Sequence, residues 1–163
     1  MAVPRSTLFL FCLLAAGCRS LEVTMDAHAG TYEVKHLGKS MFRGEDGVAI
    51  FTNGNWVSVG SGLSAASSRT VTGTDAGLGD FSALEVTWTD GTDTSTSSPL
   101  LVTSAKSYKD GRAIVFEYTL PRGAAGTSLV QHANATRDEV IVNFPAFTHT
   151  DESLDGLVGL EGV

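Results

Sequence analysis

Glu85 and Glu117 are the residues that could do the most demanding chemistry, because sugar hydrolysis needs two carboxylates facing one glycosidic bond. Each sits mid-way along an alternating segment, 83–89 and 112–120, on the side opposite the apolar residues. Solvent exposure alone would place them there too, and it is the simpler account. Asp75 and Asp80 lie in Gly73-Thr74-Asp75-Ala76-Gly77-Leu78-Gly79-Asp80. This run lacks the lysine of a phosphate loop and the spacing of a dinucleotide turn. It reads as a tight loop between strands, with Asp75 and Asp80 as candidate ligand-binding carboxylates at its edge, for sugar hydroxyls or Ca²⁺. Trp56 follows a turn and is the candidate exposed aromatic, whose face would stack on a sugar ring. Trp88 shares a side with Leu84 and Val86 and reads as core.

Other reactive groups do not assemble into a known motif. His28, His36, His132 and His149 are scattered, with no pair at metal-ligand spacing, so the sequence assigns no metal site. Ser61, between Gly60 and Gly62, lacks the flanking residues of a hydrolase nucleophile elbow and reads as turn chemistry. Asp90 and Asp93 do not have the spacing of a helix–loop–helix calcium site. The sequence therefore assigns neither a catalytic residue nor a cofactor. Asn134-Ala135-Thr136 is an N-glycosylation sequon, which makes Asn134 a candidate modified surface residue if the chain is exported.

The elements that must position these residues are strands. In 83–89, Leu84, Val86 and Trp88 alternate with Glu85, Thr87 and Thr89, the period of a half-buried strand. Segment 112–120 repeats this with Ile114, Phe116, Tyr118 and Leu120 facing inward. Segments 31–37 and 140–144 do the same with Tyr32 and Val34, then Val140, Val142 and Phe144. Asp46-Gly47, Asn53-Gly54, Asp90-Gly91 and Asp110-Gly111 supply the residue types that two-residue hairpin turns favour. Two hairpins follow, 48–52 with 55–59 and 99–108 with 112–120. Segment 62–68 is compatible with a helical turn, 129–137 is ambiguous, and 90–98 reads as a Thr- and Ser-rich loop. The expected fold is all-β, an antiparallel β-sandwich of supersandwich type.

The chain has 163 residues, with 11 Lys and Arg against 18 Asp and Glu, for a net charge of −7. This length suits one domain. The acidic balance argues against nucleic acid as a partner. No stretch beyond the N-terminus is long and apolar enough for a membrane-spanning helix. Residues 1–20 have the order of a secretory signal: Arg5, an apolar run over 8–16, then Ala15-Ala16-Gly17. Cleavage is expected after Gly17 or near Ser20, which sends the domain outside the cell. Leu14-Ala15-Ala16-Gly17-Cys18 also resembles a bacterial lipoprotein processing site. In that alternative Cys18 carries a lipid and anchors the domain at the cell surface. The expected organisation is a signal segment at 1–20 and a sandwich at 21–147. An acidic, Gly-rich 148–163 then reads as a tail or as the start of a truncated continuation. No feature of the sequence fixes an oligomeric state.

Residues 73–81, the 107–116 hairpin and Phe144-Pro145-Ala146-Phe147 together resemble the N-terminal β-sandwich region of raffinose synthase and α-galactosidase-like glycoside hydrolases. In that family the sandwich precedes a (β/α)₈ barrel carrying the two catalytic aspartates. This chain has no barrel, so the resemblance transfers no catalytic residue. It implies a non-catalytic domain of a secreted, glycoside-hydrolase-like protein, with a saccharide as the candidate ligand. The alternative is an independent extracellular carbohydrate-binding or adhesion module.

Overall fold

The structure, a computed structural model, describes residues 5–11, 21–52, 54–90, 99–109, 111, 113–123 and 142–149; for 5–11 and His149 it describes the backbone alone. Among the described residues, twelve strands run in chain order: β1 (Arg5–Phe11), β2 (Leu21–Met25), β3 (Tyr32–His36), β4 (Lys39–Gly44), β5 (Ala49–Thr52), β6 (Asn55–Val59), β7 (Gly62–Asp75), β8 (Gly79–Thr89), β9 (Leu101–Tyr108), β10 (Ala113–Thr119), β11 (Val142–Asn143) and β12 (Thr148–His149). Among the described residues there is no helix. The larger sheet has the order β1-β10-β9-β8-β7-β6-β5-β11, and the smaller one β12-β4-β3-β2. Pairing is antiparallel except for a short parallel step, where Ser58 and Val59 of β6 meet Gly62 and Leu63 of β7. The chain is thus an all-β, antiparallel sandwich.

Both hairpins expected from the sequence form. β5 and β6 pair from Ala49↔Ser58 to Thr52↔Asn55, and Gly54 in the turn has φ +81°, a conformation that side chains other than glycine seldom adopt. β9 and β10 pair from Ser107↔Ile114 to Val102↔Thr119. Segment 62–68 corrects the sequence reading, because it is extended and opens β7. Only Leu63 in it is buried, and its small Ser and Ala residues pair along β8 with one register shift between Ala65 and Ser67. Cross-strand hydrogen bonding overrides a weak local preference there. The run 73–80 is likewise more regular than a loop, with strand up to Asp75 and again from Gly79. The last described strand, β12, lies just past residue 147 and pairs with Phe42 and Arg43 of β4. Residues 91–98 of the Thr- and Ser-rich loop, 129–137 and the remainder of the C-terminal segment lie outside the described residues.

The core lies between the sheets. Trp88, Phe116, Ile114, Leu101 and Val86 of the larger sheet pack with Val34, Tyr32 and Leu21 of the smaller. The Tyr32 ring lies 5.3 Å from Phe116, 5.5 Å from Phe144 and 5.6 Å from Phe147, centroid to centroid. Its hydroxyl donates to the Ala146 carbonyl and accepts from the Ala146 N–H, which ties the 144–147 segment to β3. The buried Trp88 indole N–H donates to the Thr103 hydroxyl at 2.9 Å, so the two polar atoms inside this packing satisfy each other. Inward alternation on β8 and β10 leaves the opposite side chains of those strands pointing away from the smaller sheet.

A candidate ligand-binding face on the larger sheet

The register assembles those outward side chains into a grid. One row crosses four strands as Arg69, Glu85, Ser104 and Glu117. The next runs Val71, Ala83, Lys106 and Val115, and a third brings Gly73, Phe81 and Tyr108 together. A depression of about 230 Å³ opens over this grid, lined among others by Phe81, Glu85, Ser104, Lys106, Glu117 and Thr119. The two glutamates that sequence alternation placed outward therefore share one surface. With one strand between them, their backbones stand about 10 Å apart.

Cations engage both carboxylates. Arg69 reaches Glu85 with Nη2 at 2.6 Å and Nε at 2.7 Å, and Lys106 reaches Glu117 at 2.7 Å. Each carboxylate offers acceptor lone pairs beyond those its cation uses. The Lys106 ammonium also lies 5.0 Å over the Phe81 ring centroid, a cation–π contact. Phe81 in turn covers Gly73, where an added Cβ would fall 2.7 Å from the ring edge. The glycine is what lets the aromatic ring lie across β7. Phe81, Leu78, Tyr108, Ala113 and Val115 form a second, smaller apolar cluster at this end of the grid.

Asp75 and Asp80 lie at the tip of the β7–β8 hairpin, and alternation along β8 turns Asp80 to the face opposite Phe81. Asp75 Oδ1 accepts from the backbone N–H of Gly77 at 2.8 Å and of Leu78 at 3.0 Å. These bonds, that of Gly77 first, hold its carboxyl below the ordinary range, and the Lys106 charge adds a smaller contribution. Asp80 accepts from Lys109 Nζ and the Thr74 hydroxyl, both at 2.7 Å, and is held low by them in that order. Burial, then the charges of Asp75 and Glu117, pushes the Tyr108 hydroxyl up. Asp75, Glu117, Lys106 and Tyr108 thus share one electrostatic neighbourhood. Both aspartates shape the turn, and neither lines the depression.

Trp56 is elsewhere. It is 47% exposed and meets Phe51 edge-on at 5.7 Å. β6 runs parallel to β7 and meets it at Gly62, whereas Asp75 ends β7, on the order of 40 Å away along a strand of 14 residues. The structure therefore brings Asp75 and Asp80 together and leaves Trp56 at the other end. Asn134 and Cys18 lie outside the described residues. Among the described residues, no group of three or more His, Cys, Asp or Glu could hold a metal ion, and no helix is long and apolar enough to cross a membrane.

A larger groove of about 630 Å³ runs along the smaller sheet beside Asp26, Glu33, Arg43 and Glu45. Its acids are committed to local structure. Asp26 caps the turn by accepting from the N–H groups of His28 and Ala29. Glu33 is held down to about 2 by hydrogen bonds from Ser40, Lys35 and Arg43. Among the described residues lining the groove, the one ring, Tyr32, is buried. Sequence reasoning reached Glu85, Glu117, Asp75 and Asp80 but missed Lys106, Phe81 and Tyr108. The alternation of Ser104, Lys106 and Tyr108 along β9 is the sequence signal that marks Lys106 and Tyr108.

No protein-family model matches the chain, and no curated protein or solved structure is significantly similar to it.

Proposed function

We propose that this chain is a non-catalytic, saccharide-binding β-sandwich of a secreted, glycoside-hydrolase-like protein, accessory to carbohydrate processing. One observation carries the reading: Glu85, Ser104, Lys106 and Glu117 line a single shallow depression on an open sheet face, with the Phe81 ring at its end. Sugars are recognised by such a mixture of acceptors, donors and an aromatic surface, and an open face admits a chain of them. The cation on each glutamate favours binding over hydrolysis. Export rests on the signal-like order of residues 1–20, and the hydrolase setting on the resemblance described above.

The test is retention of the protein, produced with its leader in a secretory host, on immobilised oligosaccharides. Lys106→Met and Glu117→Gln should each weaken retention at least tenfold while Trp56→Ala leaves it unchanged. A folded protein that retains no glycan, or one whose retention depends on Trp56 alone, contradicts the proposal.

A further inference from the structure

β10 has the composition of a central strand. Ala113, Ile114, Val115 and Phe116 are all buried, and the strand contains no proline, no bulge and no inward charge. Natural sheet edges are usually blunted by such features or kept short. The other outer strands obey that rule: β11 and β12 have two residues each, and β2 alternates with exposed Glu22 and Thr24. What covers β10 is β1, paired antiparallel across all seven residues from Arg5↔Thr119 to Phe11↔Ala113. Yet residues 5–11 fall inside the segment that reads as a removable leader. Cleavage after Gly17 or near Ser20 would strip β1 and leave the outer hydrogen-bonding edge of β10 open.

We propose that leader removal converts β10 into a dimerisation edge, and that its occupant is β10 of a second copy, paired antiparallel about Phe116. β1 defines what the edge accepts: an antiparallel strand in which Leu8 stands opposite Phe116, Leu10 opposite Ile114 and Ser6 opposite Tyr118. A second β10 meets the same requirement. Centring on Phe116 places it opposite its own copy and Ile114 opposite Tyr118, so core-facing residues meet core-facing residues and the pleat is preserved. On the outer face Val115 stands opposite Glu117 of the second copy, and each Glu117 keeps its Lys106 counter-charge. The contact is two-fold and self-limiting, which closes the edge in place of propagating it. It joins two open faces into one continuous surface. The inference rests on leader removal and is independent of saccharide binding.

Val115→Glu probes the dimer, with a thermal melt of the variant checking its fold, because Val115 is buried in the small apolar cluster and the facing Lys106 already pairs with Glu117. Across the dimer residue 115 stands opposite Glu117, so two like-charge pairs form, and such pairs are destabilising. The secreted protein is expected to begin after the leader and to sediment as a dimer. Val115→Glu should raise the dimer dissociation constant at least tenfold, and Val115→Glu with Glu117→Val should restore it. The amides of Ala113–Thr119 that point away from β9 should be protected from exchange in the dimer and lose protection on dilution, while those bonded to β9 stay protected. A processed protein that is monomeric at every concentration overturns the proposal. So does a secreted protein that keeps residues 5–11, or a dimer indifferent to both variants.

Discussion

The two sides of β8, β9 and β10 are made by the same strands and differ in almost every physical respect. One side is sealed, with Val86, Trp88, Leu101, Thr103, Ile114 and Phe116 essentially inaccessible to solvent. A polar pair inside it, the Trp88 indole and the Thr103 hydroxyl, is mutually satisfied. The other side is open and charged, with Arg69, Glu85, Lys106 and Glu117 engaged in ion pairs that solvent still reaches. The sealed side is where stability resides, because burial of apolar surface is the dominant favourable contribution to folding. The open side buries only the small cluster around Tyr108, Ala113 and Val115, which leaves its charged rows free to serve recognition.

The largest effect should come from breaking the sealed side. Trp88→Ala removes a fully buried ring and strands the Thr103 hydroxyl, and about 3–5 kcal/mol of stability should go with it. Denaturant midpoints of the two proteins measure this directly. A loss below about 1 kcal/mol would mean that the two sides are not energetically distinct.

Acid should act on the other regions first. Asp26, Glu33, Asp75 and Asp80 all have folded-state values below their ordinary ones, so their contributions are present above the ordinary carboxylate range and are lost as pH falls through the folded values. For Glu33 the window runs from its ordinary 4.5 down to about 2. Amide exchange at Gly77 and Leu78, which donate to Asp75, should quicken in acid before that of Val86 or Leu101. Simultaneous loosening of both sets would blur the distinction.

The smallest effect sharpens the comparison. Lys106→Met breaks a partly exposed ion pair and should change stability by no more than about 1 kcal/mol. The same substitution is expected to weaken glycan retention, so stability and binding should separate on the open side as they cannot on the sealed one. Thermal melts of the variant and the parent supply the stability half.

Much of the sealed side was legible in the sequence, because period-two alternation in 83–89 and 112–120 puts Trp88, Ile114 and Phe116 on one face without reference to any partner strand. The hairpins were legible because Asn53-Gly54 and Asp110-Gly111 combine turn chemistry with flanking alternation. β7 was not, since a run of small and hydroxylated residues has no apolar period and is a strand only by virtue of β8. The open face was half legible: alternation turned Glu85 and Glu117 outward, but only the β8–β9–β10 register reveals that Ser104 separates them and that Lys106 lies beside Glu117. The separation of Trp56 from Asp75 is likewise a property of the parallel β6–β7 step, which no local pattern encodes.

The most direct test of the central claim is an amide and side-chain NMR map of the protein titrated with an oligosaccharide that it retains. Binding on the open face predicts perturbations at Phe81, Glu85, Ser104, Lys106 and Glu117, with Trp56 and the groove beside Glu33 unmoved. Perturbations centred on Trp56 or on that groove, with the Lys106 and Glu117 signals unchanged, would contradict the account.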